Sequence, residues 1–263
     1  MIFVVAGVAD TVPMRVLVTF AVEAEFAPWR RRCKFEKAKV SASDAYRSKI
    51  CDMEVWALLT GIGCRKAWMQ SARMIGQGGV DICISSGFAG SLRSAHVAGD
   101  VLVAREVRAQ ARGITFQCDK ALVELATESG AKPVGVFLTT DHVVVQAAQK
   151  RRLGVEADAV EMESAGVLSE MAPLGTRSVA IRAISDSLGE DLPIDFNRIT
   201  SKSGDVDKLR LLGEIALFRT RVLSFARFFE QTRQARENLA DFLSRYIERL
   251  AQVSAEPQRK VAV

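Results

Sequence analysis

The chain is poor in the residues that carry metal and redox chemistry. It has two histidines in 263 residues, His96 and His142, and neither belongs to an HExxH-type pair. No metal site is therefore expected. Its five cysteines (Cys33, Cys51, Cys64, Cys83 and Cys118) are scattered without CxxC spacing. An odd count with no framework argues against a disulfide scaffold and for reduced thiols in a cytoplasmic protein. No apolar run approaches the length of a membrane span. Internal repeats, low-complexity tracts and linker-like shifts in composition are also absent, which predicts one domain over 14–253. Residues 1–13 are apolar, but they lack a basic start and carry Asp10. They read as an N-terminal extension and not as a signal peptide, with Met14 a candidate natural start. Residues 254–263 are expected to fray.

What is present is ordinary globular material, 49% hydrophobic and 25% charged, enough for one large α/β domain with a full core. The net charge of +5 is dispersed, with short runs at Arg30–Arg32 and Lys150–Arg152. Without an aromatic-basic groove these runs read as solvated helix faces, and no nucleic-acid partner is expected.

Apolar runs alternate with helix-period segments. Arg15–Phe20, Val55–Thr60, Val80–Ser85, Val101–Ala104, Val134–Leu138 and Ser178–Asp186 read as strands. Glu23–Arg32, Arg65–Gln77, Ala121–Ser129 and the segment after Glu163 read as helices, with Pro28 tolerated in a first turn. Ser86–Gly90 reads as a small-residue loop. This alternation predicts a single-domain α/β fold, with a central mostly parallel mixed sheet flanked by helices. From Val206 to Leu250 the chain is rich in helix formers. Apolar residues at Phe218, Val222, Phe225 and Phe229, and at Leu239, Leu243, Ile247 and Leu250, predict one or two helices packed on the sheet.

Three acidic clusters fall at strand-to-helix junctions: Ala21–Glu25, Val160–Ser164 and Ser185–Asp186. Open α/β sheets put their chemistry beyond the carboxyl ends of strands. Asp186 follows an apolar run and reads as a candidate general acid at the edge of an apolar wall. Glu25 reads as a candidate general base, and Glu163 as an acceptor for hydroxyls. Each carboxylate taken alone is as readily a helix cap or an ion-pair partner. Spacing does not separate Glu25 from Glu23, or Glu163 from Glu161.

Taken in order, the motifs resemble the nucleoside phosphorylase/nucleosidase family, and within it the 5′-methylthioadenosine/S-adenosylhomocysteine nucleosidase branch. The resemblance rests on Ala21-Val-Glu-Ala-Glu25, Gly61-Ile-Gly63, Asp81-Ile-Cys-Ile-Ser-Ser-Gly-Phe-Ala-Gly-Ser-Leu92 with Gly99-Asp-Val-Leu-Val103, Val160-Glu-Met-Glu-Ser164 and Arg182-Ala-Ile-Ser-Asp186. It implies a purine nucleosidase acting on a 5′-modified adenosine, with no cofactor. Asp186 would protonate the leaving base and Glu25 would activate water. Glu163 would hold the ribose hydroxyls and Met162 would lie against the ribose. Arg182 and Ser185 would position the acids, and Ala89, Gly90, Val143 and Val144 would line the base. It also implies a homodimer.

Departures from the family pattern keep alternatives open. Ser85-Ser86 stands where phosphorylases carry a phosphate-holding arginine, which favours water as nucleophile. Phe88 replaces a small polar residue, and Val143-Val144 stands where an aromatic usually stacks on adenine. The segment 110–132 is short, which would leave the 5′ side open. A phosphorylase, a nucleosidase for a lipid-linked adenosyl compound or a menaquinone precursor, and a non-catalytic nucleoside binder remain as alternatives.

Overall fold

The computed structural model describes residues 13–40, 43–76, 78–193 and 222–260. The chain opens with β1 (Arg15–Phe20) and α1 (Glu23–Arg32), followed by three strands in a meander, β2 (Glu36–Val40), β3 (Ser43–Ile50) and β4 (Met53–Leu59). Helix α2 (Cys64–Ile75) leads to β5 (Ile82–Ser91), β6 (Val101–Ala109) and β7 (Ile114–Gln117). Then come α3 (Lys120–Glu128), β8 (Lys132–Thr139), α4 (Ala147–Leu153), β9 (Ala159–Glu161), α5 (Ser164–Met171) and β10 (Arg177–Asp186). A long helix, α6 (Val222–Lys260), closes the described chain.

All ten strands join one mixed sheet. Its heart is parallel: β1 lies between β4 and β5, and β5 also pairs with β10 in parallel. These strands are buried on both faces, which is why they read as nearly continuous apolar runs, broken in β10 by Arg182. The pairings β10–β6, β6–β8, β8–β9, β9–β5 and β5–β10 form a closed circuit of five strands. Strand β5 belongs to this circuit and to the open part of the sheet.

Two expectations are corrected. Ser86–Gly90 is not a loop, because β5 continues through it to Ser91 with β10 alongside. Small residues are needed there because side chains from β10 and α1 cross over the strand. At Gly87 a Cβ would run into the Arg182 guanidinium and the Glu25 carboxylate. Lys150 is not on a solvated helix face but fully buried. Helix α4 turns Ala147, Lys150 and Gly154 inward at i, i+3 and i+7, and small residues on either side make room for the lysine.

Helix α6 packs on the domain through Leu239, Leu243, Ile247 and Leu250, all buried. Arg32 ties α1 to it by ion pairs with Glu237 and Asp241. Beneath α1, Phe20, Phe26, Trp29, Phe35 and Tyr46 form one aromatic cluster with centroids 4.7–6.4 Å apart, within the range where ring pairs attract. In the earlier apolar run Phe229 is 61% exposed, so it does not pack on the sheet. Phe218 and residues 1–12 lie outside the described residues. The helix continues to Lys260. Among the described residues no helix is long and apolar enough to cross a membrane.

Candidate active site

The carboxyl ends of β1, β5, β9 and β10 converge on a cavity of about 220 Å³. Each acidic residue reaches it for a local reason. Glu25 is the third residue of α1, and its carboxylate turns back to accept from the Ala21 and Val22 N–H groups at 2.8 and 3.2 Å. This is the acidic half of a capping box. Its other oxygen accepts from the Phe88 N–H at 3.0 Å. Burial pushes the Glu25 pKa up, and the Arg182 charge and the three backbone donors oppose that shift.

Glu161 and Glu163 are separated by the structure. Glu161 ends β9, and its oxygens are taken up by Thr139 Oγ1, the Glu163 and Ser164 N–H groups and Arg182. Glu163 stands at the N-cap position of α5 without a side-chain bond to the helix, and one of its carboxylate oxygens accepts from the Gly63 N–H at 2.9 Å. Its second oxygen is 3.7 Å from Arg182 and keeps acceptor capacity toward the cavity. Burial raises its pKa to about 8, with Glu161 and Glu25 adding to the rise and Arg182 opposing it. Glu23, the rival of Glu25, instead pairs with Arg30 at 3.0 Å and does not line the cavity.

Arg182 is fully buried beneath the cavity. It donates to the Ser86 carbonyl, to Ser85 and Ser164 Oγ, and to Glu161. It touches neither the cavity nor Asp186, and it acts on Glu25 through charge alone.

Asp186 reaches the cavity through a bulge. Ile184 pairs with Ala89 and Asp186 with Gly90, so Ser185 is an extra residue on β10. Bulges of this kind re-aim side chains beside sites. Ser185 Oγ donates to Asp186 Oδ1 at 2.7 Å. Asp186 faces the apolar lining expected for it and also a cation, because the Lys150 ammonium sits on Oδ2.

The remaining predicted residues, Met162, Ala89, Gly90, Val143 and Val144, line the same cavity, as does Phe88. None of residues 110–132 does. Sequence reasoning missed Ile62, Leu192 and Phe228 on the wall, and Lys150 behind it. Only Lys150 left a signal, in the spacing of Ala147, Lys150 and Gly154.

The sequence profile of the phosphorylase superfamily matches residues 15–248, nearly the whole described domain. The chain belongs to that superfamily. Among curated relatives, the 5′-methylthioadenosine/S-adenosylhomocysteine nucleosidase of Geobacillus kaustophilus is 26% identical over 210 residues, covering 70% of this chain and 89% of the relative. That of Oceanobacillus iheyensis is 27% identical over 217 residues, covering 73% and 94%. The fold is that of the Helicobacter pylori nucleosidase crystallised with butyl-thio-DADMe-Immucillin-A, at TM-score 0.70 and 20% identity over 90% of this chain and 99% of that one. Futalosine hydrolase from the same organism matches as well, at TM-score 0.70 and 20% identity over 90% and 98%.

Proposed function

We propose that this superfamily member is a purine nucleosidase that hydrolyses the N-glycosidic bond of a 5′-modified adenosine. The observation that carries the reading is the meeting of Glu25, Glu163 and Asp186 at one largely apolar cavity. Glu163 would accept the ribose hydroxyls, holding the sugar as charge develops at its anomeric carbon. Asp186 would deliver a proton to N7 of the leaving purine. Positioned acids contribute roughly 10²–10⁴ in rate. Glu25 would take the proton of the attacking water, and the burial that raises its pKa makes its carboxylate a stronger base.

Water is favoured over phosphate as nucleophile. Among the described residues lining the cavity there is no lysine or arginine. Ser85 and Ser86, where a phosphorylase arginine would stand, are buried and engaged with Arg182. Val143, Val144 and Met162 would form the aliphatic surface against base and ribose.

The wall also favours an apolar 5′ substituent, since Ile62, Leu192 and Phe228, which line it, have hydrocarbon side chains. A methylthio group meets that description, and so does a longer hydrocarbon chain attached to adenosine. A cytoplasmic homodimer is the assembly this reading carries.

The test is release of free base from methylthioadenosine, S-adenosylhomocysteine, adenosine, inosine and a lipid-substituted adenosine, with and without phosphate. Phosphate-independent release is expected, fastest with an apolar 5′ group. Release only with phosphate would replace this reading with a phosphorylase, and tight binding without release would replace it with a nucleoside-binding protein.

A further inference from the structure

Lys150 is fully buried, and nothing in the catalytic scheme above uses it. An ammonium group has three protons to donate, and all three here are committed. One goes to Asp186 Oδ2, and the others go to the carbonyls of Ser187 and Glu190 at 3.0 and 2.9 Å. Helix α4, which carries the lysine, is itself fastened to the segment after β10. The Ala147 N–H donates to Asp191 Oδ1 at 2.7 Å, and the Leu192 N–H to the Val145 carbonyl at 2.9 Å. A lysine is seldom buried without a task that needs its charge or its proton.

Asp186 has little freedom around this contact. Ser185 Oγ holds Oδ1. At Gly90 a Cβ would stand 2.9 Å from Oδ2. The carboxylate is thus clamped between the cavity and a buried proton donor.

We propose that Lys150 is a positioning residue that holds the proton which reaches the leaving purine through Asp186. The inference rests on the nucleosidase reading. As the C1′–N9 bond breaks, its electron pair moves into the purine. N7 takes a proton through Asp186, whose carboxylate accepts one from Lys150 Nζ as it hands one on, leaving Lys150 a neutral amine and Asp186 ionised as before. Water forms the new bond to C1′ and gives its proton to Glu25. After product release Lys150 takes up one proton and Glu25 gives up one, so the cycle closes without any other reactant.

The experiment compares wild type with Lys150→Met on two substrates, methylthioadenosine and 4-nitrophenyl 5-methylthioriboside. The second leaving group departs as a stable anion and needs no proton. Lys150→Met is expected to lower kcat on methylthioadenosine by about 10²-fold or more, the share assigned to general-acid help, with less than a roughly threefold effect on the nitrophenyl riboside. An equal loss on both substrates, or no loss on either, overturns the inference. Should that variant fail to fold, Lys150→Arg decides, because a guanidinium keeps the charge but does not give up its proton. A loss on methylthioadenosine with the nitrophenyl riboside spared is the expected result, and full activity on both substrates overturns the inference. Failure of the underlying nucleosidase reading is distinguishable, because wild type itself would then release nothing from either substrate.

Discussion

Arg182 donates to Glu161 and stands 3.7 Å from Glu163. That asymmetry divides two acids only two residues apart into a structural one and one facing the cavity. Glu161→Ala leaves a buried guanidinium without its main counter-charge and is expected to cost about 3–5 kcal/mol. Glu163→Gln keeps an acceptor for the Gly63 N–H and should change stability little, while raising KM for nucleosides. Denaturation midpoints and KM values for the two variants check the division; equal loss of stability would remove it.

Asp186→Asn should slow base release by roughly 10²–10⁴. It should also destabilise the fold by about 1–3 kcal/mol, because the buried Lys150 loses its charged acceptor. Turnover and thermal midpoint must therefore both fall. A variant that kept its turnover would end the acid assignment.

Glu25→Gln tests the base. The carboxylate accepts from N–H groups at both of its oxygens. An amide must turn its NH₂ toward one of them, at a cost of about 1–3 kcal/mol. Nucleoside binding, followed by calorimetry, should survive while hydrolysis stops.

Gly90→Ala should spare the fold more than the chemistry. The added methyl meets Asp186 Oδ2 and Val160, at 2.9 and 3.4 Å, and pushes the carboxylate away from its bulge-set position. A large loss of kcat with a nearly unchanged thermal midpoint is expected.

The ligand-free protein should lose stability as pH rises. Glu163 goes from an ordinary 4.5 to about 8 on folding. Between those values the folded chain holds a proton that the unfolded chain has released, so stability declines through that window. Glu25 contributes in the same direction. Thermal midpoints at pH 5 and pH 8 should differ less in Glu163→Gln than in wild type, and parallel slopes would contradict the shift.

The parallel heart of the fold was legible because strands buried on both faces are apolar at most positions. Strands β2 and β3 were not. Glu-Lys-Ala-Lys-Val and Ser-Asp-Ala-Tyr-Arg-Ser-Lys-Ile bury few side chains; β3 takes its register from β4, and the edge strand β2 takes its register from β3. Small residues hid the strand at Ser86–Gly90, since Gly87 and Gly90 are fixed by what crosses them and not by strand propensity. In the site, residue chemistry alone found the three acidic clusters. Choosing Glu25 over Glu23 and Glu163 over Glu161 needed partners far along the chain, Phe88, Gly63 and Arg182. Lys150 escaped because its sequence neighbours are Arg151 and Arg152, both exposed.

Strand β5 is shared by the closed circuit of strands and the open sheet. None of its neighbours can peel away without breaking a pairing on the strand that carries Phe88, Ala89 and Gly90. Its amides should therefore exchange with solvent deuterium only when the whole domain opens, while those of the edge strand β2 exchange through local fraying. The floor of the cavity would then be among the slowest-exchanging parts of the molecule, and nucleoside binding would slow it further only by stabilising the domain as a whole.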